Sequence, residues 1–134
     1  MKTTKAFSTL AAMLTVFMLH GQTTPEQLTD KFFELYSKSP KMAINDAFSF
    51  GACSSKTKEQ KDTLINQTEQ FQDLYGWYIS HEKLVEETEG ESLKILTYLV
   101  KYDCQPIRLI LVLYKAKDDW SISNIYIDND FGSD

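Results

Sequence analysis

Apolar and polar positions follow two different periods along this chain, and the change falls at Gly76. Upstream, Leu28, Phe32 and Leu35, with Phe33 and Tyr36, recur at three- and four-residue spacing and predict a helix with a wide apolar stripe. Thr24-Pro25-Glu26-Gln27 supplies its start: a hydroxyl N-cap, a proline at the first helical position and a glutamine able to reach back to the cap. That helix should run to about Lys38, where Ser39-Pro40 repeats the cap-plus-proline signal. Met42, Ala43, Ala47 and Phe48 then lie on one side of a short second helix that ends before Gly51. Thr57-Lys58-Glu59-Gln60 is a further capping box, and Leu64, Thr68, Phe71 and Tyr75, with Leu74 alongside, carry a third stripe to Gly76.

Beyond Gly76 the period becomes two and the composition turns to Tyr, Ile, Val and Thr, residues that suit a pleated surface. Four strands are expected at about residues 77–87, 92–102, 107–115 and 120–128. The turns between them are too short for parallel crossovers, so the strands form an antiparallel meander. The expected class is α+β: N-terminal helices packed on a curved four-stranded antiparallel meander, in one domain over residues 22–134. In the central strands both faces are apolar: Leu93, Ile95, Thr97 and Leu99 alternate with Lys94, Leu96, Tyr98 and Val100, and Leu109, Leu111 and Leu113 alternate with Ile110, Val112 and Tyr114. One solvated face would give clean alternation, so a second covering layer is expected, either a curved sheet enclosing a pocket or a partner subunit.

The N-terminus reads differently. Lys2 and Lys5 precede an apolar run over residues 6–19, and the small residue Gly21 follows, which is the pattern of a secretory signal peptide over residues 1–21. The run is shorter than the roughly 20 residues that span a bilayer, and no later apolar stretch is long enough. The expected destination is therefore export, to a periplasmic or extracellular space, with no membrane attachment after cleavage. Losing Lys2 and Lys5 takes the formal charge from -5 to -7, and that sign disfavours nucleic acid and anionic lipid as partners. The 134 residues are 43% hydrophobic and 25% charged, with only two cysteines, which excludes collagen-like, low-complexity and disulfide-framework classes.

Few residues carry chemistry. Once His20 leaves with the signal peptide, His81 is the single histidine, and it reads as a surface residue of an edge strand. No nucleophile motif accompanies it, and one histidine with two distant cysteines fits no common zinc spacing, so no metal and no cofactor are expected. Cys53 and Cys104 are candidates for one disulfide, with two thiols as the alternative; sequence does not report whether their Cα atoms approach within about 7 Å. Arg108, the only arginine, either pairs with Asp103 or another acid across a hairpin or faces a pocket and grips an anionic ligand. Asn66-Gln67-Thr68 matches an N-glycosylation pattern inside a predicted helix, where chance explains it.

Three capped helices followed by a long-stranded meander resemble the cone-shaped, cystatin-like α+β proteins of the nuclear transport factor 2-like superfamily. Residues 92–131 resemble a group of small exported bacterial proteins of unknown function. The resemblance rests on the Lys101-Tyr102-Asp103-Cys104-Gln105-Pro106-Ile107-Arg108 turn, Tyr114-Lys115, Asp119-Trp120 and Ile127-Asp128-Asn129-Asp130. That group commonly has arginine where this chain has Cys104, so a disulfide is not implied by the resemblance. The superfamily implies an apolar cone interior and no single activity. The Tyr-Asp and His-Asp pairs of its enzyme branches match no residues here.

The leading expectation is an exported module that binds a small apolar ligand or a protein partner, with Tyr98 and Arg108 as candidate ligand-binding residues and dimerisation through the sheet. The alternatives are an isomerase or lyase using a carboxylate beside a tyrosine such as Tyr98, and a structural envelope protein.

Overall fold

The structure is a computed structural model that describes residues 23–49 and 54–131, with side chains described for 23–49 and 58–131. Chain order is α1 (Pro25–Lys38), α2 (Pro40–Ala47), α3 (Ser54–Tyr75), β1 (Tyr78–Glu89), β2 (Leu93–Tyr102), β3 (Pro106–Lys115) and β4 (Trp120–Asp128). The four strands form one antiparallel sheet in the order β1-β2-β3-β4. The α+β class is therefore as expected.

Local chemistry accounts for the boundaries. Thr24 accepts the Gln27 N–H at 3.2 Å, and the Gln27 side chain accepts the Thr24 N–H at 3.1 Å, so the capping box is closed in both directions. Ser39 ends α1 and precedes Pro40, whose missing N–H costs nothing at a helix start. The third helix begins at Ser54, three residues before Thr57, because residues 54–57 contain no glycine or proline to stop it. Gly76 ends that helix with φ +91°. Asp103 sits against this turn and accepts the Trp77 N–H at 2.8 Å, while the Cys104 N–H donates to the Tyr75 carbonyl at 2.9 Å. The β2–β3 turn is thereby tied to the exit of α3.

The helices cover one face of the sheet only. Leu96, Tyr98, Val100 and Tyr102 of β2, and Ile107, Leu109, Leu111 and Leu113 of β3, are buried there. They meet Phe32, Phe33 and Tyr36 of α1, Ala43 and Ile44 of α2, and Leu64, Ile65 and Phe71 of α3. Two stripe assignments are corrected. Met42 is 49% exposed and Ile44 takes the core position in α2; Leu74 is 67% exposed and Ile65 does so in α3. A flexible methionine or an end-of-helix leucine is the member of an over-wide stripe that is most easily left outside.

The opposite face has no covering element among the described residues. Leu93, Ile95, Thr97 and Leu99 of β2 and Ile110 and Val112 of β3 are half-buried by their sheet neighbours alone, and Tyr114 and Tyr126 beside them are exposed. The edge strand β1 is shifted in register between Tyr78 and Ser80 and again between Lys83 and Val85. Irregular pairing and charges such as Glu82, Glu86 and Glu87 make a sheet edge a poor template for another strand.

Candidate functional site

Because side chains of neighbouring strand positions point to opposite faces, Tyr98 and Arg108 do not share a site. Arg108 pairs in register with Leu99, on the open face, whereas Tyr98 lies under α1. The guanidinium donates to Asp128 Oδ2 at 3.0 Å and stands 4.8 Å from the Phe131 ring centre. Its partner is thus the cross-strand acid of β4, since Asp103 is engaged in the turn at Gly76. Cys104 is exposed and its sulfur forms no disulfide with a described residue; Cys53 lies outside the described residues.

Tyr98 belongs to an aromatic cluster. Phe33 packs edge-on to it with ring centres 4.7 Å apart, and His81 stacks on Phe33 at 3.7 Å with ring planes 8° apart while meeting Tyr98 edge-on at 5.9 Å. His81 Nδ1 is 2.7 Å from the Tyr78 hydroxyl. One ring face of His81 is covered while the rest meets solvent, and this partial loss of water lowers its pKa, opposed in part by the nearby Asp30 carboxylate. In the neutral ring the tautomer sets which of the two groups donates. Burial also raises the pKa of Tyr98, with the Thr29 hydroxyl and Lys83 acting against it. No aspartate or glutamate among the described residues is buried, and Asp30 and Glu86, the acids that Tyr98 senses, are at exposed positions. A desolvated carboxylate beside this tyrosine, which proton abstraction would need, is not found among them.

A more spacious opening lies elsewhere, between the first turns of α1, the end of α2 and the start of β4. It is a cleft of about 490 Å³. Leu28, Phe32, Ala47, Trp120 and Ile122 form its apolar lining, and Thr23, Gln27, Ser121 and the charged Lys31, Asp46 and Asp119 stand around them. Lys31 and Asp46 bridge α1 and α2 at 3.2 Å. The Thr23 N–H donates to Asp119 at 3.0 Å and the Trp120 N–H reaches the Thr23 carbonyl at 3.4 Å, which holds the chain before α1 against the β3–β4 turn. Lys94 and Lys115 lie 5.8 and 5.6 Å from the Trp120 ring and fix its edge of the cleft. The sequence marks Leu28 and Phe32 as apolar stripe and Trp120 as a strand opener, but which of them leave space between them depends on how far α1 stands from β4.

The molecule is thus defined as three helices on one face of an antiparallel meander, with an apolar cleft at one end. Compared with known proteins, the chain matches no family model, no curated protein and no solved structure. Among the described residues no three His, Cys, Asp or Glu side chains gather as a metal site, and no helix is long and apolar enough to cross a membrane.

Proposed function

We propose that the protein is an exported binding module that takes a small, mostly apolar ligand in the cleft between α1, α2 and β4. The observation that carries this reading is the cleft itself: about 490 Å³ is within the roughly 300–1,000 Å³ of small-molecule sites, and an apolar lining with a few polar groups is their usual construction. The mixed charges of Lys31, Asp46 and Asp119 favour an uncharged ligand with hydrogen-bonding ends.

N-phenyl-1-naphthylamine, a neutral probe that brightens in apolar surroundings, tests this. In a Trp77→Phe protein Trp120 is the only tryptophan, so energy transfer from it reports probe in the cleft. Saturable one-to-one binding is expected, lost when Ala47→Trp or Ser121→Trp fills the space; binding unaffected by both substitutions would reject the cleft as the site. Export is tested by the intact mass of the protein recovered outside the cytoplasm, which should correspond to a chain beginning at Gln22.

A second reading rests on the open sheet face. Four strands about 4.8 Å apart and ten residues long at about 3.3 Å each present a face of roughly 600 Å². Two such faces would bury about 1,200 Å², the lower end for a specific interface, so a second copy of this chain is the occupant that fits. An axis parallel to the strands would lay β1 of each copy over β4 of the other, with Val85 and Glu87 near Asn124 and Tyr126 and with Glu82 near the Arg108–Asp128 pair. Light scattering over increasing protein concentration should show a monomer–dimer equilibrium that Ile110→Lys abolishes.

A further inference from the structure

We propose a second, separate ligand site in the molecule, built on the hydroxyl pair of Tyr36 and Tyr102, that takes a single-ring carboxylic acid. The two phenols are almost completely buried and hydrogen-bonded to one another. Each phenol carries one O–H, and one bond between them uses only one of the two protons. Whichever tyrosine donates, the O–H of the other has no acceptor among the described residues. Both phenols have their pKa raised by burial, Tyr36 the more strongly, so neither escapes the shortfall by losing its proton near neutral pH. The neighbouring Tyr78 hydroxyl pairs with His81 Nδ1, 2.7 Å away, and neither buried phenol is hydrogen-bonded to it.

Both tyrosines line a cavity of about 140 Å³ at the junction of α1 and α2, where the spare proton must find its acceptor. Tyr78 and Trp77 add ring surface, and Ser39, Gln72 and Lys38 add polar groups. Neither the Ser39 hydroxyl nor the Gln72 amide has a hydrogen-bond partner among the described residues, and Ser39 caps no helix through its side chain. Lys38 is held only loosely, 3.8 Å from an exposed Glu34. The space is close to the roughly 150 Å³ that accepts one benzene ring. Ring surface, one buried donor, two further hydrogen-bonding groups and a cation at the margin together suit a six-membered ring bearing a carboxylate. The site is independent of the cleft at Trp120 and stands or falls separately from it.

Benzoate is the probe, and Trp120→Phe leaves Trp77 as the sole reporter at this cavity. Saturable quenching of Trp77 in the millimolar range or below is expected. Benzamide keeps the ring and an acceptor but not the charge, and should bind several-fold more weakly; equal binding would overturn the choice of an acid. Tyr36→Phe and Tyr102→Phe each leave one phenol with its proton free, so either single change should alter affinity little. The double change removes the last donor and should weaken benzoate binding at least about tenfold, the worth of one charge-assisted hydrogen bond. Both changes keep the ring, and melting curves check that the core survives. Absence of saturable quenching, or a double variant that binds as well as the parent, would show that the cavity holds water only and would overturn the proposal.

Discussion

Gly76 shows how one residue can fix a junction. Its φ of +91° disfavours any side chain, and an added Cβ would stand 2.8 Å from the Asp103 Cβ. Gly76→Ala should therefore destabilise the fold by about 1–3 kcal/mol, from backbone strain and from displacing the carboxylate that holds the Trp77 N–H; chemical denaturation measures it. His81 sets a pH dependence. Its pKa in the folded protein lies below the ordinary 6.5, so the unfolded chain binds more protons as pH falls through that value. The stabilisation is present above pH 6.5 and is lost on acidification below it. Melting temperatures should drop between pH 7 and 5, and drop less in His81→Gln. At the alkaline end the sign reverses. Tyr36, Tyr78, Tyr98 and Tyr102 all have raised pKa values from burial, so the unfolded chain ionises first and stability falls above pH 10. In an absorbance titration, ionisation of these four phenols should accompany unfolding.

At the scale of elements, the two faces of β3 separate what packs from what is merely apolar. Leu111 is fully buried beneath the helices, and Leu111→Ala should cost about 2–5 kcal/mol. Ile110, its neighbour on the open face, is half-buried, and Ile110→Thr should cost about 1 kcal/mol or less. Comparing the two by denaturant unfolding checks that only one face belongs to the core. Much of this level was legible in sequence. The Thr24 capping box, Ser39-Pro40 and the switch of period at Gly76 are local signals, and each marks the boundary observed. The failures have a common cause. Met42 and Leu74 belong to stripes wider than the contact surface available, and tertiary packing alone selects Ile44 and Ile65 in their place.

For the whole molecule, sequence could say that both sheet faces are apolar but not what covers each. One face received three helices; the other meets no described element. Alternation along β2 and β3 does place Tyr98 and Arg108 on opposite faces, so their separation was readable in principle. The cleft was not readable, because it arises where α1, α2 and β4 leave space between chain-distant residues such as Leu28, Ala47 and Trp120. The aromatic cluster likewise joins Phe33, His81 and Tyr98 from three elements.

A ligand seated in the cleft and one lying on the open sheet face would perturb different residues. Amide and indole chemical shifts of the isotopically labelled protein, followed while N-phenyl-1-naphthylamine is added, distinguish the two most directly. Shifts should concentrate at Leu28, Phe32, Ala47, Ile122 and the Trp120 indole N–H. Changes confined to Leu93, Ile95, Leu99, Ile110 and Val112 would place the ligand on the sheet face and contradict binding in the cleft.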